Sequence, residues 1–224
     1  MPLTTKEFGN KIALAALEIG AIRLSPTEPF NWASGYRMPI YNDNRLLLGS
    51  YQNRMLIGSG FEHLIKTEEI PYDVIAGTST AGIAPATTLS NILKCPLIYI
   101  REKPKTHGLK KQIEGILLDK QKVVVIEDLV STGGSSIKAV EGVRNSGGVV
   151  DNCLSIFNYG FKETETLFKQ ANCRLISLLT YNDLLDIAVE NGYIAGESLS
   201  MLREWRNSPF EWGAKHGFPK VEGG

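Results

Sequence analysis

The stretch VVVIEDLVSTGGSS, residues 123–136, decides the fold. Its β-branched opening suits a strand buried on both faces, and the acids, hydroxyls and glycines that follow end the strand and lead into a spacing that predicts a helix over 134–146. Outward from this unit the same rhythm recurs. YDVIAG (72–77), PLIYI (96–100), VVDNCLSIF (149–157) and CRLISLL (173–179) read as further strands, alternating with helical spacings over 82–93 and 161–171. Near-continuous apolar strands separated by helices define an α/β, doubly wound architecture, a mostly parallel sheet flanked by helices. Ligands in such sheets sit beyond the carboxyl ends of the strands, so the loops after Ala76, Ile100 and Asp128 are where chemistry is expected.

Before this core, Phe8, Ile12, Ala15, Ala16 and Ile19 mark an amphipathic helix, with Thr4 or Thr5 as its N-cap and Gly20 as its stop. Phe30 to Arg45, rich in aromatics, Pro, Gly and Asn, suits short strands and turns, and a helix is expected over Leu48 to Lys66. Two more helices, about Asn182 to Asn191 and Glu197 to Arg206, follow the core. The 224 residues are read as one domain: helix and N-terminal hood over 1–50, sheet core over 70–180, C-terminal helices over 181–210.

Twenty-four basic residues balance 24 acidic ones, a net charge of zero, which argues against broad electrostatic adhesion to nucleic acid or to a membrane. Cys95, Cys153 and Cys173 form no C-x-x-C pair, so neither structural zinc nor a disulfide framework is expected. The segment MPLTTKEFGNKIALAALEIG lacks the character of a signal peptide and no apolar run reaches ~18 residues, so a soluble cytoplasmic protein is expected.

Three loops carry chemistry. In 127–136, Gly133 and Gly134 let backbone N–H groups crowd around a phosphate, Ser131, Thr132, Ser135 and Ser136 add hydroxyl donors, and the helix N-terminus adds its dipole. Glu127 and Asp128 can accept hydrogen bonds from the vicinal hydroxyls of a sugar. A capped helix alone would leave two adjacent carboxylates at the end of a buried strand without a task. The second loop, GTSTAGIA (77–84), has Ile83 where a nucleotide-binding P-loop needs Lys. It is one residue from G-x-S-x-G, which raises a serine hydrolase with Ser79 as nucleophile and His216 as the available late base. The third, REKPKTHGLKKQIEG (101–115), gathers Arg101, Lys103, Lys105, Lys110, Lys111 and His107 beside Pro104 and Gly108. Such a run is commonly a solvated surface. At the ligand end of a strand it suits a mobile lid carrying cations over an anionic leaving group.

The acidic pair followed by a Thr/Ser/Gly loop resembles the phosphoribosyl pyrophosphate (PRPP) signature of type I phosphoribosyltransferases. R-x-K-x-K-x-H-G at 101–108 and SGYRMPIYNDNR (34–45) resemble, more narrowly, the orotate branch of that family, as does EWRNSP (204–209). The resemblance implies transfer of 5-phosphoribose from PRPP to orotate with Mg²⁺, the metal being bound mainly through PRPP, and a homodimer whose lid reaches the neighbour's site. It further implies ribose contacts from Glu127 and Asp128, 5′-phosphate contacts from Ser131, Thr132, Gly133, Gly134 and Ser135, and pyrophosphate contacts from Thr78, Ser79, Thr80, Ala81 and Gly82. Arg101, Lys103, Lys105, His107 and Asp128 are the implied catalytic groups. Ser131, Arg37 and Tyr41, with Asn42 nearby, are the candidates for holding orotate. Four positions depart from the pattern: Ala33 stands where part of the family has a substrate-contacting Lys, Met38 where Ser is usual, and Glu102 and Ala81 where some members have Lys, with Lys103 available as the substitute for the first of these two. A PRPP-sensing regulator that binds nucleic acid is the alternative on the same fold; the intact lid and zero net charge argue against it.

Overall fold

The computed structural model describes residues 3–32, 34–102 and 112–221. Helix α1 (Thr5–Glu18) starts in a capping box, the Thr4 hydroxyl accepting from the Glu7 N–H while the Glu7 carboxylate accepts from the Thr4 N–H at 2.7 Å. Its apolar stripe of Phe8, Ile12, Ala13, Ala16 and Leu17 is buried. Four short strands then build the hood: β1 (Ile22–Leu24), β2 (Phe30–Asn31), β3 (Arg37–Met38) and β4 (Ile40–Asn42), with β1 antiparallel to β4 and β2 antiparallel to β3. A 3₁₀ segment, Asn44–Gly49, separates the hood from α2 (Tyr51–Thr67). The expected helix start at Leu48 is therefore three residues early, because Ser50 is the N-cap, its hydroxyl accepting from the Asn53 N–H.

The core follows in the order β5 (Val74–Thr78), α3 (Ile83–Leu93), β6 (Leu97–Ile100), β7 (Ile113–Glu114), β8 (Lys122–Val130), α4 (Gly134–Arg144), β9 (Val149–Asn158), α5 (Lys162–Gln170) and β10 (Arg174–Thr180). The spatial order is β10-β9-β8-β5-β6-β7, all parallel except β7. Period-2 alternation shares β8 between two apolar layers. Val124 and Ile126 face the layer that holds α1, α2 and α3, while Val123 and Val125 face the layer that holds α4 and α5. Chain order reverses between β5 and β8, and the crevice at their carboxyl ends is the topological switch point of the sheet.

Two features depart from the sequence reading. Ile113 and Glu114 form a strand paired with Ile100 and Tyr99, so the segment over 101–115 is not a free lid throughout. Its neck is a hairpin, in which the Arg101 N–H donates to the Gln112 carbonyl at 2.9 Å and the Gln112 amide donates back to the Arg101 carbonyl. After α6 (Tyr181–Glu190) and α7 (Leu199–Asn207), a further helix, α8 (Pro209–Lys215), turns back under the hood. Here Pro209 opens a helix, since at the first helical position its missing N–H is no loss. The Trp205 indole donates to the Met38 sulfur at 3.0 Å, and the Val221 N–H donates to the Gly35 carbonyl at 3.0 Å, so the chain's last turns hold the hood down. Met38, the departure from the family pattern, is thus a buried packing residue.

Candidate active site

Two strand–loop–helix units face the crevice. In the first, β5 leads through 79–82 into α3, whose N-cap, Gly82, has no side chain to satisfy the first-turn N–H groups. A Cβ at Gly82 would stand 2.4 Å from the Ile126 carbonyl oxygen and 2.4 Å from the Thr78 hydroxyl, so glycine is what lets this loop lie against β8. The Ser79 N–H is held by the Ile100 carbonyl at 2.8 Å. In the second, β8 leads through 131–133 into α4, and Gly133 is the N-cap in the left-handed region, φ +82°. The Thr164 hydroxyl donates to the Ser131 carbonyl and fixes the loop's entry. Each unit presents helix N–H groups without a side-chain cap, the arrangement that suits an anion.

The acidic pair behaves asymmetrically. β8 runs on to Val130, so both acids lie within the strand instead of leaving it, and successive side chains point to opposite faces. Glu127 is buried, and three donors hold its carboxylate: the Thr78 hydroxyl at 2.7 Å, the Ser136 hydroxyl at 3.1 Å and the Asp128 N–H at 3.1 Å. It thereby ties the end of β5 to the first turn of α4. Burial pushes the Glu127 carboxyl up to about 7, reinforced by neighbouring Asp128 and opposed by the Thr78 hydrogen bond. Asp128 is half-buried, and its carbonyl accepts from the Asn44 side chain at 2.8 Å. Its carboxylate lies within hydrogen-bond reach of the Glu127 carboxyl, and both acids line the same cavity.

A cavity of about 570 Å³ at the switch point is lined by Thr78, Ser79, Arg101, Glu127, Asp128, Gly134 and Ser135, with Glu102, Gln112 and Lys138 among the others. Arg101 pairs with Glu114 at 3.2 Å on the hairpin neck. Next to it lies a slot of about 410 Å³, lined by Asn31, Trp32, Ser34, Tyr41, Asn42, Leu129, Ser131 and Tyr159. Leu129 belongs to both linings, so cradle and slot share a wall.

The structure therefore brings together residues read from separate motifs, and it sets others apart. Thr80, Ala81, Gly82, Thr132 and Gly133 shape the two loops without lining the cavity. Arg37 does not line the slot: its guanidinium donates twice to the Pro29 carbonyl, at 3.2 and 3.0 Å, and ties β3 to the residue that leads into β2. Lys103, Lys105, His107, Lys110 and Lys111 lie outside the described residues, as does Ala33. For a Ser79 hydrolase the base is missing among the described residues, since His216 pairs with Glu204 at 3.1 Å and His63 with Thr5 at 3.2 Å. Lys138 escaped the sequence reading. Its signal was position, one turn into the helix behind Ser135 and so on the cradle side.

Mg²⁺ favours hard oxygen ligands and retains water and substrate oxygens in its shell. The half-buried Asp128 carboxylate, in the cavity lining, fits such an ion as a single protein ligand. Among the described residues no cluster of three or more His, Cys, Asp or Glu side chains could build a protein-only site.

A parallel sheet with two uncapped, glycine-turned helix N-termini and an acid between them defines the phosphoribosyltransferase class, and residues 54–176 match the phosphoribosyl transferase domain. The chain is 48% identical to an orotate phosphoribosyltransferase of Staphylococcus saprophyticus, covering 90% of this chain and 99% of that one. It is 44% identical to that of Listeria monocytogenes, covering 91% and 98%. A solved orotate phosphoribosyltransferase from Aeropyrum pernix superposes with a TM-score of 0.70 at 27% identity, covering 82% of this chain and 99% of that one. The chain belongs to the orotate phosphoribosyltransferase family.

Proposed function

We propose that the chain transfers the 5-phosphoribosyl group of PRPP to orotate, forming orotidine 5′-monophosphate and pyrophosphate on the route to UMP. The observation that carries this reading is the pair of anion cradles facing each other across one crevice, with a planar slot sharing their wall. The bond from ribose C1 to the pyrophosphate oxygen breaks, a bond from C1 to N1 of orotate forms, and the N1 proton leaves to solvent.

In the loop from Thr78 to Gly82 the Ser79 and Gly82 N–H groups are already given to the Ile100 and Thr78 carbonyls, so the amides of Thr80 and Ala81 and that of Ala84 at the start of α3 hold the pyrophosphate. Those at Ser131 to Ser135, with the hydroxyls, hold the 5′-phosphate. Asp128 accepts from the ribose hydroxyls and steadies the ring as positive charge develops on it. Glu127 keeps the two cradles in register from behind. Arg101, with Lys103, Lys105 and His107, meets the negative charge that grows on the leaving group. Mg²⁺, when bound, screens the pyrophosphate and supplies Lewis acidity; its ligands would come from PRPP and Asp128. Tyr41 and Ser131 border the base in the slot, while Arg37 acts only through the shape of the hood.

The chain works as a homodimer with the lid of one protomer over its partner's site, and as one domain, since a single apolar layer runs from Ile12 to Trp212. We place it in the cytoplasm: its cysteines are free, and among the described residues no helix is long and apolar enough to cross a membrane. The test is a competition assay with PRPP and Mg²⁺ against equal orotate, uracil, adenine and hypoxanthine. Orotidine 5′-monophosphate is the expected product; preferential ribosylation of a purine overturns the choice of base.

A further inference from the structure

We infer that Asn44 is a positioning residue for the transfer: from the hood it holds the backbone of Asp128 and so sets where that acid meets the ribose. The inference rests on the proposed reaction and names a residue that acts through Asp128. Asn44 itself lines neither the cavity nor the slot. Pairing between β8 and β5 runs from Val123 to Ile126 and goes no further, because β5 ends at Thr78. Past that level β8 continues to Val130 with no strand beside it on the β5 side. Carbonyls left on such an edge need donors from elsewhere. The Ile126 carbonyl takes the Thr78 hydroxyl at 3.2 Å, and the Asp128 carbonyl takes the Asn44 amide at 2.8 Å.

Asn44 is itself held in place. It is 4% exposed, and the residues on both sides of it are tied down. The Asp43 N–H donates to the Ala21 carbonyl at 2.7 Å, while the Asp43 carboxylate accepts from the Arg45 N–H at 3.2 Å and from the Arg45 guanidinium at 2.6 and 2.9 Å. Among the described residues, the Asn44 bond is the one side-chain hydrogen bond from the hood to the six-stranded sheet. It falls on the residue whose carboxylate must meet the ribose hydroxyls. A group with that task has to be held to within about 0.5 Å, and a misplacement of about 1 Å can cost on the order of 10²-fold in rate. The same run of chain carries Tyr41 and Asn42 in the wall of the slot. The part of the hood that borders the base is therefore also the part that fixes the ribose acid.

The test is a double-mutant cycle. Asn44→Ala and Asn44→Ser, the second keeping a hydroxyl for the 3₁₀ segment but too short to span to β8, are each made in wild type and in Asp128→Asn, whose backbone carbonyl is unchanged. Two readouts are taken for every variant: kcat/KM for PRPP at saturating orotate, and melting temperature without ligand. In the wild-type background each Asn44 substitution should lower kcat/KM for PRPP about 10- to 30-fold while the melting temperature holds. In the Asp128→Asn background the same substitution should cost less than about twofold, because the carboxylate it serves is already gone. Equal losses in the two backgrounds would mean that Asn44 acts through something other than Asp128, and they overturn the inference. So does an unchanged kcat/KM in the wild-type background. A melting temperature that falls steeply in both Asn44 variants, with activity lost in step, overturns it as well and marks Asn44 as structural. In each of these cases transfer to orotate stands. Failure of wild type to ribosylate orotate removes the proposed function and this role together.

Discussion

The two strand–loop–helix units at the crevice are built alike and differ in one respect. Each leaves a buried parallel strand, turns on a glycine N-cap and opens a helix whose first N–H groups no side chain satisfies. The β5–α3 unit carries no acid, and its glycine is dictated by contact, Gly82 lying against the Ile126 carbonyl. The β8–α4 unit carries two acids, and its glycine is dictated by conformation, at φ +82°. The first is suited to an anion alone, the second to an anion joined to a polyhydroxyl ring. Bridging them is Glu127, so the difference between the units is built around a carboxyl neither unit presents freely to substrate.

The comparison breaks most visibly at Asp128. Asp128→Asn should lower kcat/KM for PRPP by about 10²- to 10³-fold while the melting temperature holds, as removal of one well-placed charged contact does elsewhere. Unfolding on substitution would make the acid structural. Lys105→Ala should lower kcat to a similar degree with PRPP binding retained. Equal mixing of the two variants with verified subunit exchange should recover about a quarter of wild-type activity, since half the dimers would hold one intact site. No recovery would exclude a site shared between protomers.

Glu127 sharpens the comparison through pH. Its carboxyl rises from an ordinary value near 4.5 to about 7 in the folded chain, so the native state binds the extra proton between those limits. Stability contributed by this group is therefore present at pH 4.5 and below and declines as pH rises through 7, by on the order of 3 kcal/mol. Unfolding in the absence of PRPP, followed from pH 4.5 to 8, should show this decline in wild type and a flatter profile in Glu127→Gln. Parallel profiles would mean that the carboxyl is ionised throughout.

Stability also separates the two glycines. Gly82→Ala should cost about 3 kcal/mol, because backbone stands where the methyl must go, and Gly133→Ala about 1–2 kcal/mol for its left-handed backbone, with Phe168 and Thr164 only 3.1 and 3.2 Å away. Chemical denaturation of both variants checks the order; the reverse order would mean that β8 yields to the first loop.

The sheet was legible in the sequence because its strands are apolar on both faces and its helices are periodic. What the sequence hid were pairings across long separations. Glu127 and Asp128 read as a strand's exit, since nothing local announces that Thr78 and Ser136 supply the donors that let a carboxyl remain inside β8. Arg37 read as a base-binding cation because its actual acceptor, the Pro29 carbonyl, is a backbone atom that side-chain patterns do not reveal. Ile113 and Glu114 were absorbed into a charged, glycine-bearing run, although two residues were enough to pair with β6. Ser34, Asn42 and Tyr159 meet only because the hood folds over β8 and β9, and of the three only Asn42 stands among the base-binding candidates of the sequence, as a donor in the 34–45 element.

The grip of Trp205 on Met38 spans 167 residues. On a ribosome adding ~5–20 residues per second, the hood would therefore wait on the order of ten seconds or more after its own synthesis for the helix that fastens it. The phosphate cradles, complete once Thr164 has followed to hold the Ser131 carbonyl, can take shape during that interval. A nascent chain would thus acquire its grip on the sugar phosphate before its choice of base, and selectivity would be the last property it gains.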